Sequence, residues 1–218
     1  MSVWLTRIGL DLRSRPARSD LGDVVELHRR IMTLVPEGLG VEARRQAGVL
    51  FRLDRTRTGP ALLVQTTQTP SPGRLPSGYG TVETREITPL LSALRPGLPV
   101  HYRIAANASK RLWKDTGRHL AKQIVPLDDA DAEDWWRRKA AACGLRLLSV
   151  RADPQPPARG ERRETGSFRH AVTRFEGQAV VLDADHLRDA VVAGIGRGKS
   201  YGCGLLSLAP TRTSDGPG

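Results

Sequence analysis

The chain has 218 residues, enough for one large domain or two of about 100 residues that each bury a core. Its 34 Lys and Arg against 23 Asp and Glu leave a formal charge of +11, which favours a polyanionic partner because each neutralised phosphate releases condensed counterions. Cys143 and Cys203 have no Cys or His at ligand spacing, which excludes a disulfide framework and a zinc site, and no apolar run approaches the ~20 residues that cross a membrane. A reducing cytoplasm is the expected location, with no membrane partner.

Residues 3–10 alternate as a strand, with Trp4, Ile8 and Leu10 on one face. A basic turn containing Pro16 follows, and then Ser19 or Asp20 opens a helix with Val24, Leu27, Ile31 and Leu34 at spacings of three or four. Residues 49–53 and 61–67 read as a hairpin, and 70–80 as loop. This is βαββ, the front of a ferredoxin-like unit whose end falls somewhere in 79–95.

A second unit starts after Pro96 and Gly97 with a strand in which Val100, Tyr102 and Ile104 alternate with His101 and Arg103. Residues 110–122 are expected to form a basic loop, since their cations are irregularly spaced around Gly117. Residues 128–143 are helical, with acids early and Arg137, Arg138 and Lys139 later, as the helix dipole prefers. Strands over 145–150 and 168–182 flank a hairpin-like insertion centred on Pro156 to Arg163. A helix capped by Asp183 or Asp185 then enters a loop with five glycines in the eleven residues 194–204, and an apolar strand leaves it. The order is βαββαβ. Expected divisions are 1–90, 97–210 and a frayed tail at 211–218.

Glycines so dense allow positive φ and close backbone approach, so their amides can converge on an anion beside Arg197 and Lys199. The alternative is a turn that tucks the last strand into its sheet. Gly198, Lys199 and Ser200 match the end of a nucleotide-binding P-loop, but that motif needs glycine where this chain has Ala193, and it needs strand, loop, then helix. Here the order is reversed.

The run Gly194-Ile-Gly-Arg-Gly-Lys-Ser-Tyr-Gly-Cys-Gly204, continuing Leu-Leu-Ser-Leu-Ala-Pro210, resembles the CasE family of CRISPR RNA-processing endoribonucleases. So do Leu27-His28-Arg29 on the first helix and Arg103-Ile-Ala-Ala-Asn107-Ala-Ser-Lys110, where Ala108 replaces the family's proline. The resemblance implies an α+β fold of two tandem ferredoxin-like (RRM-like) βαββαβ domains, closed by the C-terminal glycine-rich loop. It also implies a metal-independent endoribonuclease without a cofactor, which binds the repeat hairpin of precursor CRISPR RNA and joins other Cascade subunits. Attack by a ribose 2′-hydroxyl would leave a cyclic phosphate and a 5′-hydroxyl.

On this resemblance His28 is the general base or acid, with Arg29 and Arg30 as candidates for stabilising the phosphorane charge. By periodicity alone His28 sits at the edge of the apolar stripe, a position open to a structural or a chemical role. The RNA-binding candidates are Lys110, Arg111, Lys114 and Arg118; Arg159, Arg162, Arg163 and Arg169; and Gly196, Arg197, Gly198, Lys199 and Ser200. The family often has a tyrosine where this chain has Val25. That departure supports the alternative, a non-catalytic RNA-binding subunit of the same fold.

Overall fold

A computed structural model describes residues 2–40, 42–115, 120–162 and 166–211. Strand β1 (Trp4–Leu10) is followed by helices α1 (Arg15–Gly22), α2 (Val24–Met32) and α3 (Ala43–Gln46), then strands β2 (Leu50–Thr56), β3 (Gly59–Thr66) and β4 (Gly80–Glu86). The sheet is antiparallel throughout, in the order β2-β3-β1-β4, with Ile8 opposite Leu62 and Val82. The hairpin expected from sequence is β2 and β3, and β4 ends the unit. A loop with one 3₁₀ turn, Pro72–Arg74, stands where a second helix of this topology would lie.

The single helix expected after the first strand is two. Pro16 lies in the first turn of α1, where its missing N–H costs nothing, rather than in a turn before it. Asp23 breaks the run: its backbone is extended, and its carboxylate accepts the N–H groups of Val25 and Glu26 to cap α2. The apolar stripe of α2, with Val24, Leu27 and Ile31 buried, packs with Ile8, Phe51, Leu62 and Val64 in the first core.

After α4 (Thr88–Ser92) come β5 (Pro99–Ala106), β6 (Ser109–Asp115) and β7 (Leu120–Pro126), then α5 (Asp129–Ala142) and β8 (Leu145–Leu147). The chain finishes with β9 (Arg151–Arg162), β10 (Gly166–Val181), α6 (Ala184–Ala193) and β11 (Leu206–Pro210). The second sheet runs β11-β5-β10-β8, the same ferredoxin-like order, and β9 extends along the long β10 from Arg151–Glu176 to Arg162–Gly166. Its core is built around Trp136, Phe175, Ile104 and Leu187.

Residues 109–115 and 120–126 pair as two antiparallel strands, β6 with β7, where a loop was expected. The apolar residues of this pair do not alternate, Leu112 and Ile124 being exposed, so the period that marks a half-buried strand is missing. Of the expected tail, Thr211 is tied to the carbonyl of Pro99 at 3.2 Å, and 212–218 lie outside the described residues.

The two sheets meet through β2, whose residues Leu50, Phe51 and Arg52 are buried on both faces. Arg52 is 2% exposed and donates to Asp54 beside it, to the carbonyl of Arg103 on β5 and to that of Leu205 at the exit of the glycine loop. Gln65 on β3 donates to the carbonyl of Val191 on α6.

Candidate functional site

His28 lies midway along α2, half-buried, with its ring 6.3 Å from that of Phe51. Its Nε2 is buried and has no hydrogen-bond partner among the described residues. Burial, and then the nearby Arg44 charge, lowers its pKa below the usual histidine value. The imidazole is therefore held neutral at pH 7, able to accept a proton.

The glycine loop brings the second sheet's chemistry to this helix. Gly194, Gly196, Gly198, Gly202 and Gly204 all have positive φ, which lets the chain leave α6, make the 3₁₀ turn Lys199–Tyr201 and enter β11. That turn packs against α2 and β2. Gly198 rests on His170 of β10 so closely that a Cβ there would fall within 3.0 Å of the imidazole. The ring of Tyr201 sits 4.9 Å from Phe168 and 5.2 Å from His170. His170, like His28, has a buried Nε2 without a partner among the described residues, and burial lowers its pKa.

The predicted RNA-binding residues fall into separate places. Lys110, Arg111, Gly196 and Arg197 converge with Asn107 and Lys139 around a pocket of about 370 Å³. Arg159 lines a cleft of about 360 Å³ between the two sheets, shared with Arg55, Arg174 and Tyr201. Arg169 pairs in register with Arg159 on the β9–β10 ribbon, and both are exposed. Arg118 and Arg163 lie outside the described residues, as do the side chains of Lys114 and Arg162.

Lys199 does not reach outward. Its ammonium donates to the carbonyl of Ala193 at 2.6 Å, satisfying the C-terminus of α6, while Ser200 is half-buried in the turn. Arg29 is exposed and pairs with Glu26. Arg30 points elsewhere: two residues beyond His28 is about 200° around a helix. There it donates to Asp20 at 2.8 Å, which also accepts the Tyr79 hydroxyl at 2.9 Å. That network holds α1 to α2 and keeps Arg30 from the His28 face.

Sequence reading missed Arg44, His170, Tyr201 and Lys139. Tyr201 was inside the quoted glycine run, and Lys139 was read as a dipole residue although it follows Trp135 by one turn. Arg44 and His170 carried no local signal, because only tertiary packing brings α3 and β10 to this place. Cys203, in the loop, is fully buried with its thiol pushed up to about 12, so it is no nucleophile at neutral pH. Among the described residues no three His, Cys, Asp or Glu side chains are grouped to hold a metal, and no helix is long and apolar enough to cross a membrane.

A family model described as CRISPR associated protein matches residues 3–210. The chain is 32% identical to the CRISPR-associated endoribonuclease Cse3 of Thermus thermophilus, over 95% of this chain and 100% of the relative. It is 29% identical to the CRISPR system Cascade subunit CasE of Escherichia coli, over 89% and 96%. The structure of Thermus thermophilus Cse3 bound to an RNA representing a pre-cleavage complex superposes with a TM-score of 0.79 at 31% identity, covering 96% of this chain and 100% of that one.

Proposed function

The chain belongs to the CRISPR-associated protein family, and we propose that it is an endoribonuclease that binds the repeat hairpin of precursor CRISPR RNA and cuts it at the hairpin base. The observation that carries this reading is His28, a neutral, half-buried imidazole on a helix packed against a glycine-rich turn. Its relatives' RNA complexes and Cascade membership support RNA as substrate and the other Cascade subunits as partners, in the cytoplasm. The division into two units would fall between β4 and β5.

The 2′-oxygen attacks the adjacent phosphorus as the 5′-oxygen leaves, giving a cyclic phosphate and a 5′-hydroxyl with no net water consumed. His28 is the general base that takes the 2′-hydroxyl proton, or the acid that returns one to the leaving oxygen. Its lowered pKa suits the base role in the free protein. Arg29 and Arg44 are the cations offered to the phosphorane, Arg30 being held by Asp20. No metal or cofactor is required by this chemistry.

The rival reading, an RNA-binding subunit without catalysis, is favoured by Val25. A side chain with no hydroxyl occupies that position, where it packs beside Gly160 of β9. One assay separates the two. Labelled repeat RNA in excess EDTA is expected to be cut by wild type and, at least ~100-fold more slowly, by His28→Ala. Wild-type protein that binds its repeat but never cuts it would leave the non-catalytic reading standing.

A further inference from the structure

We propose that the pocket between Lys110, Arg111, Lys139 and Arg197 receives the single-stranded RNA flanking the hairpin, a role that rests on the RNA-processing function above. The pocket is concave and, at about 370 Å³, has the size of a small-ligand site. That volume is of the order of a single nucleotide. Arg111, Lys139 and Arg197 are exposed and have no ion-pair partner among the described residues, while Lys110 is shared with Asp131 at 3.2 Å. Three uncompensated cations around one cavity form an anion site of the kind that tracks a nucleic-acid backbone.

The rest of the lining says what kind of contact this is. Asn107 is the amide best placed to read a base, but both its ends are committed. Its nitrogen donates to the carbonyl of Ala171 at 2.7 Å, and its oxygen accepts from Ser109 at 2.9 Å. Trp135 is 9% exposed and stacked on Phe175, so it supplies an apolar wall rather than a free stacking face. The site therefore grips phosphate without reading sequence.

Its location fits a strand continuing from the cut. Gly196, at the pocket, lies against Trp135, whereas Gly198 lies against His170 at the start of the turn that packs on α2. Two residues span at most ~7 Å, so the glycine loop sets this pocket beside the turn that packs on the His28 helix.

The test compares dissociation constants of the full-length protein for an uncleavable hairpin, 2′-deoxy at the cut site, with and without a flank of about four nucleotides on its 5′ or 3′ side. Wild type should bind one flanked RNA about fivefold or more tighter than the bare hairpin, whatever the flank sequence. Lys139→Glu should bring that ratio close to one. Lys139→Ala should lower the salt slope for flanked RNA by about 0.7, one single-strand phosphate contact. The ratio is internal to each variant, so impaired folding does not imitate the effect. A wild-type ratio of one for both flanks overturns the proposal, as does a ratio that survives Lys139→Glu or a bare-hairpin affinity that falls equally. Failure of wild type to bind the bare hairpin at all would instead sink the underlying RNA function.

Discussion

The Asp23 carboxylate that caps α2 also accepts the backbone N–H of Glu161 on β9, at 3.2 Å. One side chain thus fixes the start of the helix that carries His28 and the backbone of the β9–β10 ribbon. Gly160 lies so close beside it that a Cβ there would press on Asp23, Val25 and Phe168 at 3.0 to 3.1 Å. Asp23→Ala should cost about 1 kcal/mol of stability in denaturant unfolding, the usual value of a lost N-cap. It should also slow cleavage, because the ribbon loses its anchor on the helix, while Asp23→Asn should keep the cap through its remaining oxygen but lose the bond from Glu161, since an amide nitrogen accepts no hydrogen bond. Equal stability for Asp23→Ala and wild type would show that the cap is not holding this junction.

Gly198 makes a sharper prediction than phosphate access alone. Its φ of +76° disfavours any side chain, by about 1–2 kcal/mol, and a Cβ would collide with His170. At Gly196, with φ +80°, a Cβ would meet Trp135 at an ordinary 3.5 Å. Gly198→Ala should therefore lower thermal stability and RNA affinity more than Gly196→Ala does. Adding His170→Ala should recover part of the Gly198→Ala loss, since it opens the space. Additive losses in the double variant would show that the contact with His170 is not the obstruction.

Arg52 joins the sheets from a buried position. Arg52→Ala leaves the buried Asp54 carboxylate with only Arg103, 4.0 Å away, among the described residues, and leaves two carbonyls without their donor. It should therefore lower the urea midpoint, at a cost below the ~3–5 kcal/mol typical of a fully unpaired buried charge. Its carbonyl bonds to Arg103 and Leu205 also fix the glycine loop against β2. Arg52→Lys keeps the charge but not this fork, and should recover only part of the stability. A midpoint matching wild type for Arg52→Ala would remove Arg52 as the tie between the sheets.

Periodicity and glycine placement made the βαββ front of the first unit and the βαββαβ order of the second readable, because strands with one buried face must alternate, while the last strand of the first unit stayed open within 79–95. Where the reading slipped, a local rule was overridden or hidden. Asp23 split one helix into two through a cap that only its extended backbone reveals, and the paired strands β6 and β7 lack the alternation that marks a half-buried strand. His28 was legible as a boundary residue on its helix, whereas Arg30 was not distinguishable from Arg29 until Asp20 and Tyr79 were seen to hold it. The neighbours of His28 come from β2 and α3, and the turn within the glycine loop packs on its helix. Contacts of that sequence separation leave no trace in a window of residues.

His28 also fixes a pH dependence whose sign can be worked out. Burial first, then Arg44, lowers its pKa below the ordinary 6.5, so the unfolded chain binds the proton more tightly than the folded one. Stability is therefore full above the unfolded value and is lost as pH falls through about 6.5 toward the folded pKa. His170 shifts in the same direction by burial, so His28→Ala should reduce this acid loss without abolishing it. In the free protein, NMR titration should place the His28 midpoint below 6.5, and Arg44→Ala should raise it by removing the repelling charge. If His28 is the base, kcat/KM for repeat RNA should rise with pH through that same midpoint, and the rise should move upward in Arg44→Ala. A titration midpoint at or above 6.5 would mean that burial does not control this imidazole, and one that Arg44→Ala leaves in place would mean that Arg44 does not.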